Sequence, residues 1–397
     1  MSDLRALLAS REMILVAGSG GVGKTTVAAA MGLAAVHRQP ANVLVLTVDP
    51  ARRLATALGL EQFGNTPVRI DPSRLERAGI KARGDLHVAM LDTAAGWNEL
   101  IERHAPDAEV RDAVLANPLY QNITTRFVQS HDYLAMEQLH DLHATGEFDL
   151  VIVDTPPSRN ALSILDAPGR MVEFFGSPLL RWLTVPYRSR LFNMASRPFY
   201  QVADRVLGSR FLQDIADFFI LFQAMERGFV RRAREVEAML TDTRTAIVVV
   251  TTLENAPSHE AAFLARELVE RRMSLGAIVA NRVLPDGLSG DDAVAVAADL
   301  HERAGTLAEM VAARLGDDRV RTYAKSVDKA TKIVRSTLHE LADGYEDLAV
   351  VAARESERRA VLAPLTSELV TIPWMTDDIH DLRGLGRLSK HLRGGSR

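Results

Sequence analysis

The chain has 397 residues and no cysteine. That absence excludes disulfides, thiolate zinc sites and catalytic thiols together. No apolar stretch approaches the roughly 18 residues that a membrane helix needs; the longest runs, such as Ala246–Val250, have the length of buried strands. Met1–Arg11 carries charges and no apolar h-region, so no secretory signal is expected there. The formal net charge is only −4, which leaves no global electrostatic footprint for nucleic acid. What remains is an ordinary globular composition, 47% hydrophobic and 25% charged, long enough to bury a sizeable core.

The apolar run Met13–Ala17 ends in a glycine loop. An alanine-rich helix is predicted over Thr25–His37, then a second apolar run, Val43–Val48, closed by Asp49-Pro50. Further strands are predicted at Leu86–Met90, Leu150–Val153, Ala246–Val250, Ala277–Ala280 and Val370–Ile372. Near-continuous runs of this kind suit a sheet covered on both faces. The predicted fold class is α/β: a doubly wound, mostly parallel sheet with large helical insertions. The core is expected in pieces at 1–93, 148–162, 241–289 and 363–397, with helical insertions at 94–147, 163–240 and 290–362.

Gly18-x-x-x-x-Gly23-Lys24-Thr25 satisfies the Walker A pattern, with a strand before it and a helix after it. The glycines let backbone N–H groups turn toward phosphate oxygens, and the following helix points its positive end at the same anion. Lys24 is expected to reach the β- and γ-phosphates, and Thr25 to hold Mg²⁺. Asp154 closes a strand at the Walker B position; its other reading is a turn or N-cap aspartate. Asp49 closes the second strand, where it either activates water or caps a helix. Thr251-Thr252-Leu253-Glu254 does not supply a guanine-reading motif, so ATP is favoured over GTP.

Gly20-Gly21-Val22-Gly23-Lys24-Thr25-Thr26, Asp49-Pro50-Ala51 and Asp154-Thr155-Pro156-Pro157 together resemble the arsenical-pump ATPase family. That family includes the ATPases that target tail-anchored membrane proteins, and it belongs to the deviant Walker A class. The resemblance implies a Mg²⁺-dependent ATPase that is cytoplasmic, with a peripheral place at the membrane as the alternative. It implies a homodimer, or a heterodimer with a related ATPase subunit, and a hydrophobic client protein or membrane partner. It assigns residues 20–26 to the phosphate loop, Asp49 to water activation and Asp154, Thr155 and Pro157 to the second switch. It assigns Asn281 to adenine recognition, and Pro373 and Trp374 to the loop over the adenine ring. An energising subunit of an anion transporter, or a partition- or septum-type ATPase, are the alternatives.

The departures are specific. Ser19 stands where the family has a lysine that reaches the partner's nucleotide, and Arg52 and Arg53 are candidate substitutes. Arg159-Asn160-Ala161 replaces Gly-His-Thr in the second switch. Without cysteine, neither the zinc clasp nor the metalloid thiolate site of the relatives can form.

Nine of the 13 phenylalanines lie between Phe174 and Phe229, with Trp182, Tyr187 and Tyr200. They make either a groove for an apolar client or the core of a helical subdomain. Val320, Tyr323, Val327, Ala330, Val334 and Leu338 or Leu341 suit one face of a long helix. Residues 290–362 thus read as a hairpin that either contacts a partner in place of the clasp or packs on its own core. The tail after Gly384, with Leu385, Leu388 and Leu392, is expected to be a loosely packed, fraying helix; the alternative is a weak membrane-surface helix.

Overall fold

A computed structural model describes residues 4–48, 54, 58, 64, 66–91, 93–118, 120, 130–156, 162–177, 209–288, 291–314, 324 and 326–392. Its centre is an eight-stranded sheet: β1 (Met13–Ala17), β2 (Asn42–Thr47), β3 (Val68–Arg69), β4 (Asp85–Met90), β5 (Leu150–Asp154), β6 (Thr245–Thr251), β7 (Leu275–Val283) and β8 (Leu369–Pro373). The spatial order is β3-β4-β2-β5-β1-β6-β7-β8. Among the described strands only β3, which the sequence reading did not find, pairs antiparallel, at one edge.

The helices are α1 (Arg5–Ser10), α2 (Lys24–Arg38), α3 (Pro72–Arg77), α4 (Thr93–His104), α5 (Ala108–Ala116), α6 (Ser130–Ala144) and α7 (Ser163–Gly176). They continue with α8 (Ser209–Ala224), α9 (Glu226–Thr241), α10 (Asn255–Glu270), α11 (Asp291–Arg314), α12 (Val327–Leu362) and α13 (Leu382–Leu392). Side chains alternate across each strand. Ile14, Val16, Val43, Val45, Ile152 and Val248 enter one core with α2 and α13. Met13, Leu15, Leu44, Leu46, Val151 and Val249 enter the opposite core with α6 and α10. Two filled faces explain the unbroken Val/Ile/Leu runs.

The tail departs from its expected character. Leu385, Leu388 and Leu392 of α13 are fully buried beside α2. Gly384 and Gly386 are buried too, and a Cβ on Gly386 would stand 3.0 Å from Ile80. The two glycines are what lets the helix lie close to the core. Its apolar face is therefore occupied by this chain, which removes the membrane-surface reading. No described helix is long and apolar enough to cross a membrane.

The helices α4 to α9 form a separate core around Trp97, Tyr133, Phe175, Phe218, Phe222 and Phe229. Phe175 and Phe222 stack with centroids 5.3 Å apart. Among the described aromatics the closed-core reading holds; Phe174 and Phe219 are only partly buried. Trp182, Tyr187, Met194 and Tyr200 lie outside the described residues.

A buried carboxylate, Glu137 on α6, ties this subdomain together. It accepts from Tyr133 Oη at 2.6 Å and Arg232 Nε at 2.8 Å, and lies 3.3 Å from His104 Nε2. Burial pushes its pKa up, but the hydrogen bonds from His104, Tyr133 and Arg232 outweigh that and hold it below the usual value. Burial, with the neighbouring Glu137 charge, pushes the Tyr133 hydroxyl well up.

Between β7 and β8 stands the hairpin of α11 and α12. The face predicted from spacing is buried only in part: Ala330 is buried and Val334 and Leu338 are half-buried, but Val327 and Leu341 are 52% and 58% exposed. Val320 and Tyr323 lie outside the described residues. The seam is made of alanine instead, including Ala304, Ala308, Ala342 and Ala349. The base of α12 is tied to the ends of β6 and β7. Arg358 donates to the Leu253 carbonyl at 2.9 Å, Leu284 N donates to Glu355 Oε2 at 2.8 Å, and Arg359 donates to Asp286 at 2.9 Å.

Burial raises the pKa of Glu355 against the opposing bond from Leu284. A carboxyl with a raised folded pKa favours the fold most below its unfolded value, and that contribution is lost as pH rises through the folded value. Glu355→Gln keeps an acceptor for Leu284 N and removes the charge. We expect it to leave the melting temperature unchanged or higher at pH 7 and to flatten its dependence on pH above 4.5. Thermal melts from pH 4 to 8 check this; a clear loss at pH 7 contradicts it.

Candidate nucleotide site

The site is built at the C-terminal edge of the central strands, where open α/β sheets bind ligands. The loop from Gly18 to Gly23 leaves β1 and enters α2. Gly18 has φ +146°, and a Cβ there would lie 2.1 Å from the Val250 carbonyl oxygen of β6. Gly23 has φ +97°, and its Cβ would lie 2.5 Å from Asn281 Nδ2 of β7. Both glycines are therefore required by contact as well as by conformation. Together with Gly21 at φ +81° they curl the loop into a cradle.

Lys24 opens α2 and is 6% exposed. Its Nζ donates to the carbonyls of Gly18 and Ser19, each at 2.9 Å, so the ammonium spans the loop that it follows. Thr25 Oγ1 donates to Asp154 Oδ2 at 2.6 Å. Thr47 Oγ1 donates to the same oxygen at 3.0 Å, because β2 and β5 are in parallel register with Thr47 beside Asp154. Asp154 is fully buried. Sequence reasoning found Thr25 and Asp154 but missed Thr47, which looked like one more strand residue. The donor set of one hydroxyl and one carboxylate is all oxygen and suits a hard cation such as Mg²⁺. Thr155 is drawn under β1 by two bonds to the Val16 carbonyl, from its N at 3.3 Å and its Oγ1 at 2.8 Å.

Asn281 is 6% exposed and braces the loop: Nδ2 donates to the Val22 carbonyl at 2.9 Å, and Oδ1 accepts from Arg282 N at 3.0 Å. Arg282 has φ +60°, at a register irregularity between β7 and β8. An asparagine amide has two donors and two lone pairs. Each end is used once here, so an N–H and a lone pair remain for a base edge. Pro373 closes β8 opposite Val283, and Trp374 N donates to the Val283 carbonyl at 2.9 Å. The Trp374 side chain is 62% exposed, as a ring with no protein stacking partner among the described residues would be.

Ser19 is engaged with α10. Its Oγ donates to Glu260 Oε2 of α10 at 2.5 Å, a partner 241 positions away that no sequence signal marks. Gly20 and Thr26 hold their expected places in the loop and the first turn of α2. Asp49, Arg52, Arg53, Pro157, Arg159, Asn160 and Ala161 lie outside the described residues.

Residues 11–310 match the family described as Anion-transporting ATPase. The chain belongs to this family. Among its relatives are an uncharacterised protein of Streptomyces coelicolor, 29% identical over 70% of this chain and 64% of its own length, and the ATPase GET3 of Malassezia globosa, 25% identical over 69% and 73%. The arsenical pump-driving ATPase of Acidiphilium multivorum is 27% identical over 70% of this chain and 41% of its own. The chain thus spans less than two thirds of the first and under half of the last. The family match ends at residue 310, so the last residues of α11 and all of α12, β8 and α13 lie beyond it.

Proposed function

We propose that this protein binds ATP with Mg²⁺ and hydrolyses it to ADP and phosphate, using the change of nucleotide to switch its grip on a partner. The observation that carries the reading is the convergence of Lys24, Thr25, Thr47 and Asp154 on one loop. The backbone of residues 20–26 surrounds the phosphates, and Lys24 places its charge among the bridging and terminal oxygens. Thr25 and Asp154 hold Mg²⁺, which when bound neutralises charge on the β- and γ-phosphate oxygens. Asn281 reads the adenine edge, and Pro373 with Trp374 covers the ring. Asp49, two residues beyond Thr47, orients the attacking water and takes its proton.

Ser19, engaged with Glu260, offers no cation to the developing phosphate charge. A dimer supports the chemistry if the other subunit supplies one, whether a like copy using Arg52 or Arg53 or a related subunit bearing a lysine. The partner class we favour is a hydrophobic protein client or a membrane partner. An arsenical role finds no support, since a trivalent metalloid needs thiolates and these 397 residues contain none. The polymerising partition-type reading is weakened by the size of the helical insertions.

Phosphate release from ATP, with and without Mg²⁺, tests the reaction. Asp49→Asn is expected to bind ATP as the wild type does and to turn over about 100-fold more slowly, the low end for loss of a general base. Release at the wild-type rate would remove Asp49 from the chemistry. Hydrolysis undiminished by chelation would remove Mg²⁺.

A further inference from the structure

Two residues other than glycine hold a left-handed backbone among the described residues, Arg272 and Arg282, each at φ +60°. Arg272 is explained where it stands. It follows the end of α10, where Arg272 N donates to the Val269 carbonyl at 3.0 Å and Met273 N to the Leu268 carbonyl at 2.9 Å. Helices commonly end in this pair of bonds, and a left-handed residue is part of it. Arg282 ends no helix. It lies inside β7, one residue before the end of the strand. A side chain of its size is strained in that conformation, and such strain persists only where the surroundings hold it.

A bulge holds it. β7 and β8 pair Ala280 with Thr371 and next Val283 with Pro373, so Asn281 and Arg282 together stand opposite Ile372 alone. Bulges re-aim side chains beside binding sites. Asn281 gives the local support: its Oδ1 accepts from Arg282 N at 3.0 Å, while its Nδ2 reaches the Val22 carbonyl of the phosphate loop. One side chain thus fixes both the loop and the bend that turns Arg282. The arginine side chain is exposed, and its guanidinium makes no hydrogen bond or ion pair among the described residues. Acids close to it along the chain and at the base of α12 are engaged elsewhere, Asp286 by Arg359 and Glu355 by Leu284 N.

Val283 comes next, and its carbonyl accepts from Trp374 N at 2.9 Å. Arg282 and the exposed Trp374 therefore flank one residue at the shared end of β7 and β8. A planar guanidinium and an indole are both suited to covering a flat aromatic ring. The phosphate loop leaves β1, and β6 lies between β1 and β7. At about 4.8 Å for each strand step, the bulge stands roughly 10 Å across the sheet from the start of that loop. The base of a bound nucleotide lies nearer to it than the phosphates do. We propose that Arg282 is a base-binding residue, whose guanidinium stacks on one face of the adenine, and that the strained bulge exists to present it. Such a role rests on ATP being the ligand.

ADP and inorganic pyrophosphate, each with Mg²⁺, separate the base from the phosphates without turnover. In titration calorimetry on the full chain, Arg282→Gly is expected to bind ADP about tenfold more weakly than the wild type does, the loss of a desolvated stacking cation, and pyrophosphate within about twofold of it. Glycine accepts the left-handed backbone, so this variant should keep its far-UV circular dichroism and its melting temperature. Arg282→Lys keeps the charge without the planar fork and is expected to bind ADP within about threefold of Arg282→Gly. Unchanged ADP affinity in Arg282→Gly overturns the proposal. An equal loss for pyrophosphate overturns the contact with the base and moves the arginine to the phosphates, and full rescue by lysine overturns the stacking. A wild type that binds neither ligand overturns the nucleotide reading and this role with it, whereas one that binds both leaves that reading standing whatever Arg282 does.

Discussion

Lys24→Ala is expected to weaken ATP binding by about 100-fold and to leave no measurable turnover. The ammonium is buried in the loop and held by the Gly18 and Ser19 carbonyls. Charge-assisted bonds in such a setting contribute up to about 3 kcal/mol, and each 1.4 kcal/mol is tenfold in affinity. Truncation also leaves two carbonyls without that donor, so the loop should lose definition as well as charge. Lys24→Arg separates the two effects. It keeps the charge but replaces a compact ammonium with a planar fork that the buried space does not fit. We expect it to recover part of the affinity and little of the turnover. Titration calorimetry with ATP and Mg²⁺ reads the first, phosphate release the second. Affinity within threefold of wild type in Lys24→Ala would take the lysine out of the phosphate site.

Gly18→Ala is expected to cost about 3 kcal/mol or more of folding stability. The new Cβ would stand 2.1 Å from a main-chain oxygen of β6, and no rotamer change can move a carbonyl in the middle of a sheet. The backbone angle, φ +146°, adds strain for any L side chain. Gly21→Ala is the control. It too has positive φ, at +81°, but a Cβ there meets nothing within 4 Å. Its cost should be the conformational part alone, about 1–2 kcal/mol. Urea unfolding of the two variants gives the comparison. Equal losses would mean that the contact with Val250 is unimportant.

The sheet was legible because its strands are buried on both faces. Fully buried parallel strands write themselves as unbroken apolar runs, and all seven parallel strands were found, their ends within three residues. β3 was missed because two exposed residues at an edge leave no such run. The phosphate loop was legible because backbone requirements act on neighbouring residues. Thr47 and Glu260 were not, since each reaches the site across more than 100 positions. The hairpin was found as helices but its buried face was only partly placed: Ala330, Val334 and Leu338 are buried or half-buried, while Val327 and Leu341 stand outside. Hydrophobic periodicity rewards bulk, whereas this seam is packed with alanine and the bulk stands outside. The tail was misread for a related reason: propensity penalises glycine in a helix, while close packing at Gly384 and Gly386 rewards it.

The ties at the base of α12 make the hairpin a lever. Arg358 and Glu355 grip the chain just past β6 and β7, next to Asn281 and the loop that it braces. The far end of α12 at Val327 is about 28 residues away, some 42 Å at 1.5 Å per residue. A tilt of about 5° where the helix is gripped therefore sweeps its tip through nearly 4 Å, so a rearrangement too small to notice around a bound base is magnified into one that a neighbouring molecule can feel.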